Sequence, residues 1–223
     1  MERSDPPAWA KVDEYFSSLL TPAEKALDGA REANRKAGLP DIDVSRLQGK
    51  FLEFLVRISG ARNVLEIGTL GGYSTIWLAR ALPEGGRVVT LELDPHHAEV
   101  ARANLRSAGV LDRVEICVGP ALETVPGLEK DAPFDLIFID ADKQSYPEYL
   151  GRALKLAHPG TILVADNVVR QGKVTNPKSK DANVQGVQRF TELLAAEPRL
   201  SATVLQTVGA KGYDGFALAV VVS

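Results

Sequence analysis

Cysteine, positive charge and long apolar runs are all scarce in this sequence, and each scarcity excludes a class of protein. Cys117 is the only cysteine among 223 residues, so an internal disulfide is impossible and a reducing compartment is expected. A formal net charge of −3 provides no general attraction to polyphosphate, which argues against a nucleic-acid partner. No run approaches the roughly 18 apolar residues that span a bilayer. Residues 1–16 contain acids and prolines instead of the apolar core of a secretory signal, so we expect a cytoplasmic protein without a membrane partner.

Five short β-rich runs recur along the chain, whose 45% hydrophobic and 25% charged residues are typical of a folded protein. They are nearly continuously apolar, as strands buried on both faces must be, and lie at 63–68, 87–93, 113–119, 134–140 and 161–166. Helical patterns separate them, which predicts parallel strands joined by crossover helices. Two further runs, 201–208 and 214–222, flank a glycine-containing turn and predict an antiparallel hairpin at one edge of the sheet.

Two amphipathic helices complete the predicted fold. Residues 94–109 form the clearer one, since Asp94 can cap its start, Gly109 suits its end, and one face holds Ala98, Ala101, Leu105 and Ala108. The other leads into the first strand and presents Leu47, Phe51, Phe54, Leu55 and Ile58. The chain is therefore predicted to be a single α/β domain over residues 1–223, with a helical N-terminal extension over 1–45. Its fold would be a doubly wound, Rossmann-like and mostly parallel seven-stranded sheet.

A glycine-rich turn, VLEIGTLGGYST over 64–75, follows the first strand. In doubly wound sheets, ligands bind beyond the carboxyl ends of the strands, and the helix start at Ser74 offers free N–H groups to an anion. The spacing is not G-x-G-x-x-G, because Leu70 occupies the second glycine position. Glu92 ends the second strand, where a carboxylate can bind both hydroxyls of a ribose. Turn and acid together predict an adenosine-type ligand, either a dinucleotide or S-adenosylmethionine.

Oxygen-bearing side chains follow the fourth and fifth strands. Asp140 comes directly after the fourth, and Asp166 and Asn167 come at the end of the fifth, so the three should converge at one edge of the sheet. They would supply hard ligands for Mg²⁺ or Ca²⁺, and no His or Cys cluster exists to hold zinc. Helix capping is the alternative role for these acids, and it suits Asp142 well. It suits Asp166 and Asn167 poorly, since a long polar loop follows them.

Four motifs in this order, LEIGTLGGYS, LELDP, FIDADK and VADNV, carry a resemblance to a known family. From about residue 40 onward the chain resembles the class I S-adenosylmethionine-dependent O-methyltransferases of the divalent-cation-dependent branch. That branch contains catechol O-methyltransferase and the caffeoyl-CoA O-methyltransferases. The D-A-D-K sequence is most similar to the caffeoyl-CoA and bacterial members.

The resemblance implies roles for particular residues. Those implied to contact S-adenosylmethionine are Val44, Glu66, Gly68 and Ser74, with Glu92 at the ribose, Ala121 beside the adenine, and Asp140 nearby. The implied ligands of Mg²⁺, or of Ca²⁺ or Mn²⁺, are Asp140, Asp166 and Asn167. Lys143 matches the lysine proposed as general base, so Lys143 and Asp140 are the expected catalytic residues. The implied acceptor is a small aromatic molecule with a vicinal diol, and a homodimer is expected, with the C-terminal hairpin forming part of its interface.

The loop at 168–183 is the least regular stretch, and it contains four basic residues: Arg170, Lys173, Lys178 and Lys180. It could be a solvated loop, or it could close over the acceptor and favour anionic diols or phosphate-bearing thioesters. Two rival functions remain open from the sequence. A dinucleotide-dependent oxidoreductase would leave Asp140, Asp166 and Asn167 without a role, whereas a non-catalytic adenosyl-binding protein would not need Lys143.

Overall fold

The computed structural model describes residues 7–21 and 23–223 as one seven-stranded sheet flanked by helices. The strands are β1 Asn63–Ile67, β2 Arg87–Glu92, β3 Val114–Val118, β4 Phe134–Ile139, β5 Ala157–Asp166, β6 Leu200–Gly209 and β7 Gly212–Val221. The α-helices are α1 Ala8–Leu20, α2 Lys25–Lys36, α3 Arg46–Ser59, α4 Tyr73–Ala81, α5 Pro95–Ser107, α6 Ala121–Thr124, α7 Tyr146–Leu156 and α8 Ala182–Ala196. Short 3₁₀ segments lie at Leu111–Arg113, Val125–Lys130, Lys143–Ser145 and Arg170–Thr175.

The order of the strands across the sheet is β3-β2-β1-β4-β5-β7-β6. The five N-terminal strands pair in parallel, whereas β7 is antiparallel to both β5 and β6. The predicted doubly wound sheet with its C-terminal hairpin is therefore confirmed. The order reverses between β1 and β4, which creates a crevice at their carboxyl ends.

Strand β3 differs from the prediction that all five parallel strands are buried on both faces. It lies at one edge of the sheet and is only partly covered, and Val118 is exposed. Because an edge strand lacks a neighbour on one side, an apolar run can remain near solvent. Strand β5 also begins earlier than predicted, at Ala157, and pairs with Phe134 there.

Two hydrophobic layers sandwich the sheet, and alternate residues of each central strand face opposite layers. In β4, Leu136 and Phe138 pack in the layer of α3 and α4, while Ile137 and Ile139 pack in the layer of α7 and α8. Within residues 7–21 and 23–223, no helix combines the length and apolar character needed to cross a bilayer.

Helix α5 matches its prediction in detail. The Asp94 carboxylate accepts a hydrogen bond of 2.7 Å from the backbone N–H of His96, as an N-cap does. Ala98, Ala101 and Leu105 are buried, and Gly109 adopts a φ of 70° just beyond the helix end. Local sequence signals are therefore sufficient to place this helix and its inner face.

Helix α3 exists as predicted, but the predicted inner face is wrong. Leu52 and Val56 are fully buried, whereas Phe54 is half exposed and Ile58 is 82% exposed. Leu47, Phe51 and Leu55 lie between these extremes. The helix has two apolar stripes, and its packing against α4 and the sheet determines which of them is buried.

The described part of the predicted N-terminal extension consists of α1 and α2. Helix α2 buries Leu27, Ala30 and Asn34, and it contacts α4 and α5. Helix α1 buries none of its residues, although it contacts α3 and β6. The two helices thus belong to different environments, one integrated in the fold and the other lying on its surface.

Candidate functional site

A cavity of about 820 Å³ opens at the carboxyl ends of the parallel strands, where the strand order reverses. Eight of the sequence-predicted site residues line it: Val44, Gly68, Ser74, Glu92, Ala121, Asp140, Lys143 and Asn167. Two others, Glu66 and Asp166, are buried and do not line it. Sequence positions scattered over more than a hundred residues therefore converge on one concave surface.

The glycine turn brings the ends of β1 and β4 close together. Gly68 has a φ of 101°, and a Cβ atom at this position would overlap the carbonyl oxygen of Asp140. The backbone N–H of Asp140 in turn donates to the carbonyl of Ile67 over 2.8 Å. Only glycine meets both the conformational and the steric requirement at residue 68. The turn thus places the Asp140 backbone directly beside the start of the cavity wall.

Glu66 lies behind the wall of the cavity, although the resemblance implied that it lines the cofactor site. Its carboxylate accepts hydrogen bonds from the hydroxyls of Ser74 (2.6 Å), Thr90 (2.7 Å) and Thr75. Burial raises the pKa of Glu66 to about 7, and it outweighs the three hydroxyls, which act to lower it. Glu66 therefore affects the cavity through Ser74, whose position it holds at the start of α4.

Glu92 lines the cavity and also fixes the turn opposite it. One carboxylate oxygen accepts from the backbone N–H groups of Thr69 (3.1 Å) and Leu70 (2.7 Å), and the other accepts from that of Asp94 (3.0 Å). His97 Nδ1 lies 3.4 Å from the same carboxylate, and His97 lines the cavity. The sequence analysis did not single out His97 as a site residue. The signal was available, because the first turn of a helix that follows a strand directly faces the end of that strand.

Two carboxylates and an amide meet at the ends of β4 and β5. Asp140 and Asn167 line the cavity, and the buried Asp166 accepts a 2.8 Å hydrogen bond from the backbone N–H of Asn167. Burial, reinforced by the negative charge of Asp140, raises the pKa of Asp166 to about 7. In the part of the chain that the structure describes, no group of three or more His, Cys, Asp and Glu side chains is placed to share an ion. A cation would thus depend on the Asn167 amide oxygen as its third protein ligand.

This donor set fits a hard divalent cation. All three side chains offer oxygen, which Mg²⁺ and Ca²⁺ prefer, and neighbouring carboxylates that repel each other are stabilised by a positive ion between them. Asn167 has a φ of 57°, a left-handed conformation that is uncommon outside glycine and costly to hold. Such strain is found at sites where the direction of a side chain matters.

Lys143 is buried, with 8% of its surface exposed, so it is not a solvated lysine at a helix start. Its Nζ donates to Asp140 Oδ1 and to the hydroxyl of Tyr146, each over 2.8 Å. The Tyr146 hydroxyl is fully buried and donates to the backbone carbonyl of Asp166 over 2.8 Å. Lys143 is therefore held between one predicted metal ligand and a tyrosine anchored to the backbone of another.

Comparison with known proteins identifies the family of the chain. The family model for O-methyltransferases matches residues 17–220. The chain belongs to the O-methyltransferase family. A protein named catechol O-methyltransferase from Niastella koreensis is 51% identical to it, over 94% of this chain and 96% of its own length. A protein of the same name from Mycobacterium tuberculosis is 53% identical, over 94% of each chain. A crystal structure of an O-methyltransferase from Bacillus cereus in complex with SAH is 58% identical, with a TM-score of 0.94 over 96% of this chain and 98% of that chain.

This membership confirms the resemblance read from the motifs, and with it the enzyme class, an S-adenosylmethionine-dependent O-methyltransferase. The match begins at residue 17, well before residue 40, from which the resemblance was expected to run, and therefore includes α2 and the end of α1. Both N-terminal helices are thus at least partly within the family's common fold.

Two features of this O-methyltransferase's site were not apparent from its sequence. Tyr146 was not singled out, although its spacing of three residues from Lys143 in DADKQSY puts both side chains on one face of a helical turn. Asp142 was interpreted as a helix cap, but its carboxylate bonds the hydroxyls of Tyr149 (2.6 Å) and Ser145 and makes no backbone cap.

The sequence leaves two alternatives for the basic loop of this O-methyltransferase, a solvated loop or one that closes over the acceptor. Arg170 lines the cavity, whereas Lys173, Lys178 and Lys180 are exposed and do not. The 3₁₀ segment Arg170–Thr175 has left-handed residues at its start, which turn the chain away from the site after Arg170. Only one of the four basic residues is therefore placed to meet a bound acceptor.

Proposed function

We propose that this O-methyltransferase transfers a methyl group from S-adenosylmethionine to one hydroxyl of a vicinal diol on an aromatic ring. We also propose that the transfer requires a divalent cation, with Mg²⁺ as the first candidate and Ca²⁺ or Mn²⁺ as alternatives. The observation that carries this proposal is that Asp140 and Asn167 line the cavity beside the buried Lys143, with the Asp166 carboxylate directly behind, against the backbone N–H of Asn167. The names of two relatives more than 50% identical, both catechol O-methyltransferases, support it.

The adenosyl end of the donor would lie across the ends of β1 and β2. The Glu92 carboxylate accepts three backbone hydrogen bonds, so about one of its lone pairs remains for a ribose hydroxyl at the cavity. Ala121 offers a small apolar surface for the adenine, while Ser74 and Val44 border the methionine end. A dinucleotide oxidoreductase is disfavoured, since it would use this half of the cavity and leave the oxygen donors at β4 and β5 without a role.

The acceptor end requires a proton to be removed. Phenol hydroxyls titrate near ~10, so at neutral pH a catechol is a poor nucleophile. A divalent cation held by Asp140, Asp166 and Asn167 would acidify the diol and hold its two oxygens. Lys143 Nζ, tethered between Asp140 and Tyr146, is placed to take the released proton in its uncharged form. The remaining contribution of the protein is to orient the acceptor toward the donor.

Metal dependence provides the direct test of this proposal. Methyl transfer from S-adenosylmethionine to catechol should stop in excess chelator and return when Mg²⁺ is added, because the cation both acidifies and orients the diol. Undiminished turnover in chelator would remove the metal from the mechanism. Cofactor binding with no turnover on any vicinal diol would instead favour the non-catalytic adenosyl-binding alternative.

The predicted metal ligands can be tested by a matched pair of variants. Asp166→Asn should retain the fold but bind Mg²⁺ at least about tenfold more weakly, since a hard cation loses one full ligand charge. Asp142→Asn is the control, because Asp142 borders the same cavity but its carboxylate is occupied by Tyr149 and Ser145. Calorimetric titration with Mg²⁺ measures both. Equal losses of affinity would show that only the overall negative charge of the cavity matters.

We also propose that the enzyme acts as a homodimer in the cytoplasm. An apolar surface formed by the outer faces of α1, α3 and β6 supports the dimer, and it includes Tyr15, Leu19, Ile58, Val204 and Val208, all of which are exposed. The single free thiol, Cys117, supports a reducing compartment.

A further inference from the structure

We propose that Arg170 is an anion receptor for the acceptor, so that the preferred substrates are catechols whose ring carries a carboxylate. The proposal rests on the proposed function and deepens it, because it names the chemical class of the diol. Arg170 lines the cavity within three residues of Asn167, one of the proposed metal ligands.

Among the described residues, no side-chain hydrogen bond or ion pair engages the guanidinium of Arg170. Its Nε is buried, and within residues 7–21 and 23–223 it has no hydrogen-bond acceptor. A buried N–H that is left unsatisfied is costly and rare, and it indicates a group that a ligand completes.

Arg170 is a basic residue in a cavity whose charged lining residues are mostly acidic. Five carboxylates line it, namely those of Asp43, Glu92, Glu123, Asp140 and Asp142. Among the described residues, the lysine and arginine side chains that line it are those of Lys143 and Arg170. His97 also lines it and lies against Glu92. Lys143 is paired with Asp140, whereas no ion pair of Arg170 exists among the described residues. A cavity so rich in acid would repel an anionic acceptor everywhere except next to Arg170.

The backbone around Arg170 is held in place by the hairpin. Asp214 Oδ1 accepts hydrogen bonds from the backbone N–H groups of Val169 and Arg170, each over 3.0 Å. The N–H of Val168 donates to the carbonyl of Gly215 over 3.0 Å. These bonds keep Arg170 at a φ of 54°, a left-handed conformation that a free loop would avoid. The guanidinium is therefore presented from a fixed backbone, as a preorganised receptor requires.

A single half-buried guanidinium suits one planar carboxylate, to which it can donate two parallel hydrogen bonds. The phosphates of a thioester acceptor would need several cations, and Lys173, Lys178 and Lys180 are exposed outside the cavity. The geometry therefore favours a carboxylate attached directly to the acceptor over a distant polyphosphate.

Binding of paired diols tests the inference. Calorimetry with 3,4-dihydroxybenzoate and with catechol, in Mg²⁺ and S-adenosylhomocysteine, compares the wild type with Arg170→Gln and Arg170→Lys. We expect Arg170→Gln to weaken binding of the acid by about 10–100-fold and that of catechol by less than about threefold. Arg170→Lys should be intermediate, because an ammonium lacks the planar fork. The control is Lys173→Gln, which removes the same charge from an exposed position of the same segment and should change neither affinity.

Three results would overturn the inference: no binding of the acid to the wild type, equal losses for the two diols in Arg170→Gln, or a matching loss of S-adenosylmethionine affinity. Methyl-transfer rates on the same diols separate the two proposals. If both diols are methylated with unchanged preference in Arg170→Gln, the inference fails and the proposed function stands. If neither is methylated but the acid still binds through Arg170, the proposed function fails and the receptor stands.

Discussion

At the scale of single residues, Glu66 shows how burial alters an ordinary side chain. It lies in the short apolar strand β1, and three hydroxyls surround its carboxylate where water would otherwise be. Hydroxyls stabilise an ionised carboxylate less well than bulk water does, and the pKa of Glu66 therefore rises from its ordinary value of 4.5 to about 7. Near neutral pH the carboxyl is only partly ionised.

This shift predicts a specific dependence of stability on pH. Below pH 4.5 Glu66 is protonated in both the folded and the unfolded states. As pH rises from 4.5 to about 7, the unfolded chain releases the proton while the folded protein keeps it. The contribution of Glu66 to the free energy of unfolding therefore falls progressively over this range. Relative to Glu66→Gln, the wild type should lose at most about 1.4 kcal/mol of stability per pH unit in this window. Denaturant titrations of both proteins from pH 4.5 to 8 measure the difference, and parallel pH profiles would contradict it.

Tyr146 is the second residue whose role depends on its surroundings. Its ring packs edge-on against Phe190, and its hydroxyl accepts from Lys143 Nζ. Tyr146→Phe retains the ring but removes the anchor of the lysine, so we expect kcat to fall by about 10–100-fold while S-adenosylmethionine affinity stays unchanged. Tyr149→Phe is the matched control, since its hydroxyl bonds Asp142 instead.

Wild-type kinetics in Tyr146→Phe would show that Asp140 alone is enough to hold the amine. An equal drop in Tyr149→Phe would assign the effect to packing of the helix and not to Lys143.

At the scale of secondary-structure elements, α2 is joined to the cofactor turn by a buried amide network. Asn104 Nδ2 donates to Asn34 Oδ1 (2.9 Å) and to the carbonyl of Gly71 (2.8 Å). Asn34 Nδ2 donates to Asp43 Oδ1 over 3.0 Å, and Asp43 lines the cavity. The N-terminal helix therefore supports both the glycine turn and the segment that closes the opposite side of the site.

Gly71 is the tightest point of this junction, because a Cβ atom there would overlap the Asn34 side chain. Gly71→Ala should separate α2 from the turn, destabilise the fold by about 1–3 kcal/mol and weaken S-adenosylmethionine binding. Gly29→Ala, on α2 itself, is the control: its Cβ would enter open space, and alanine favours a helix by about 0.5–1 kcal/mol. Thermal unfolding and calorimetry follow both variants. A Gly71→Ala protein with normal cofactor affinity would show that the network is not coupled to the site.

The loop after β5 is a second case in which one element fixes the backbone of another. Its cavity residues Asn167 and Arg170 are both left-handed, and Asp214 and Gly215 of the hairpin accept hydrogen bonds from the backbone N–H groups of residues 168–170. The hairpin thus does more than extend the sheet, because it sets the backbone from which two cavity residues project.

At the scale of the whole molecule, the outer faces of α1, α3 and β6 form an exposed apolar surface. Large apolar side chains are exposed on α1 in particular, namely Trp9, Val12, Tyr15, Phe16, Leu19 and Leu20. Ile58 of α3 and Val208 of β6 add to the surface. Extended apolar patches on a folded protein are typical of contact surfaces between subunits.

A charge placed in this surface should prevent the proposed dimer. Ile58→Glu changes a side chain that is 82% exposed, so the monomer fold loses little, while a buried carboxylate at an interface is strongly unfavourable. We expect the wild type to sediment as a dimer and Ile58→Glu to shift toward the monomer at micromolar concentration. Val118→Glu on β3, at the opposite edge of the sheet, is the control. A monomeric wild type, or a dimer that both variants leave intact, would contradict this interface.

Much of the fold follows from local patterns in the sequence. Apolar runs separated by helical periods specify parallel strands, because each strand is covered by helices on both faces, and the Asp94 cap and Gly109 place α5 by contacts within a few residues. The order of the motifs also indicates the family and most of the cavity residues, since ligand positions in doubly wound sheets follow strand ends.

The tertiary structure decided what depends on contacts between distant residues. Two apolar stripes on α3 are equivalent in the sequence, and only packing on α4 and the sheet buries Leu52 and Val56 while exposing Ile58. Glu66 and Lys143 are both charged residues in short motifs, yet long-range folding places one behind the cavity wall and the other inside it. Arg170 is one of four basic residues in its loop, and it alone of the four lines the cavity, from a backbone bonded to the hairpin some 45 residues later. The sequence states which side chain each position carries, but whether that side chain is buried and which way it points depend on contacts made across the assembled sheet.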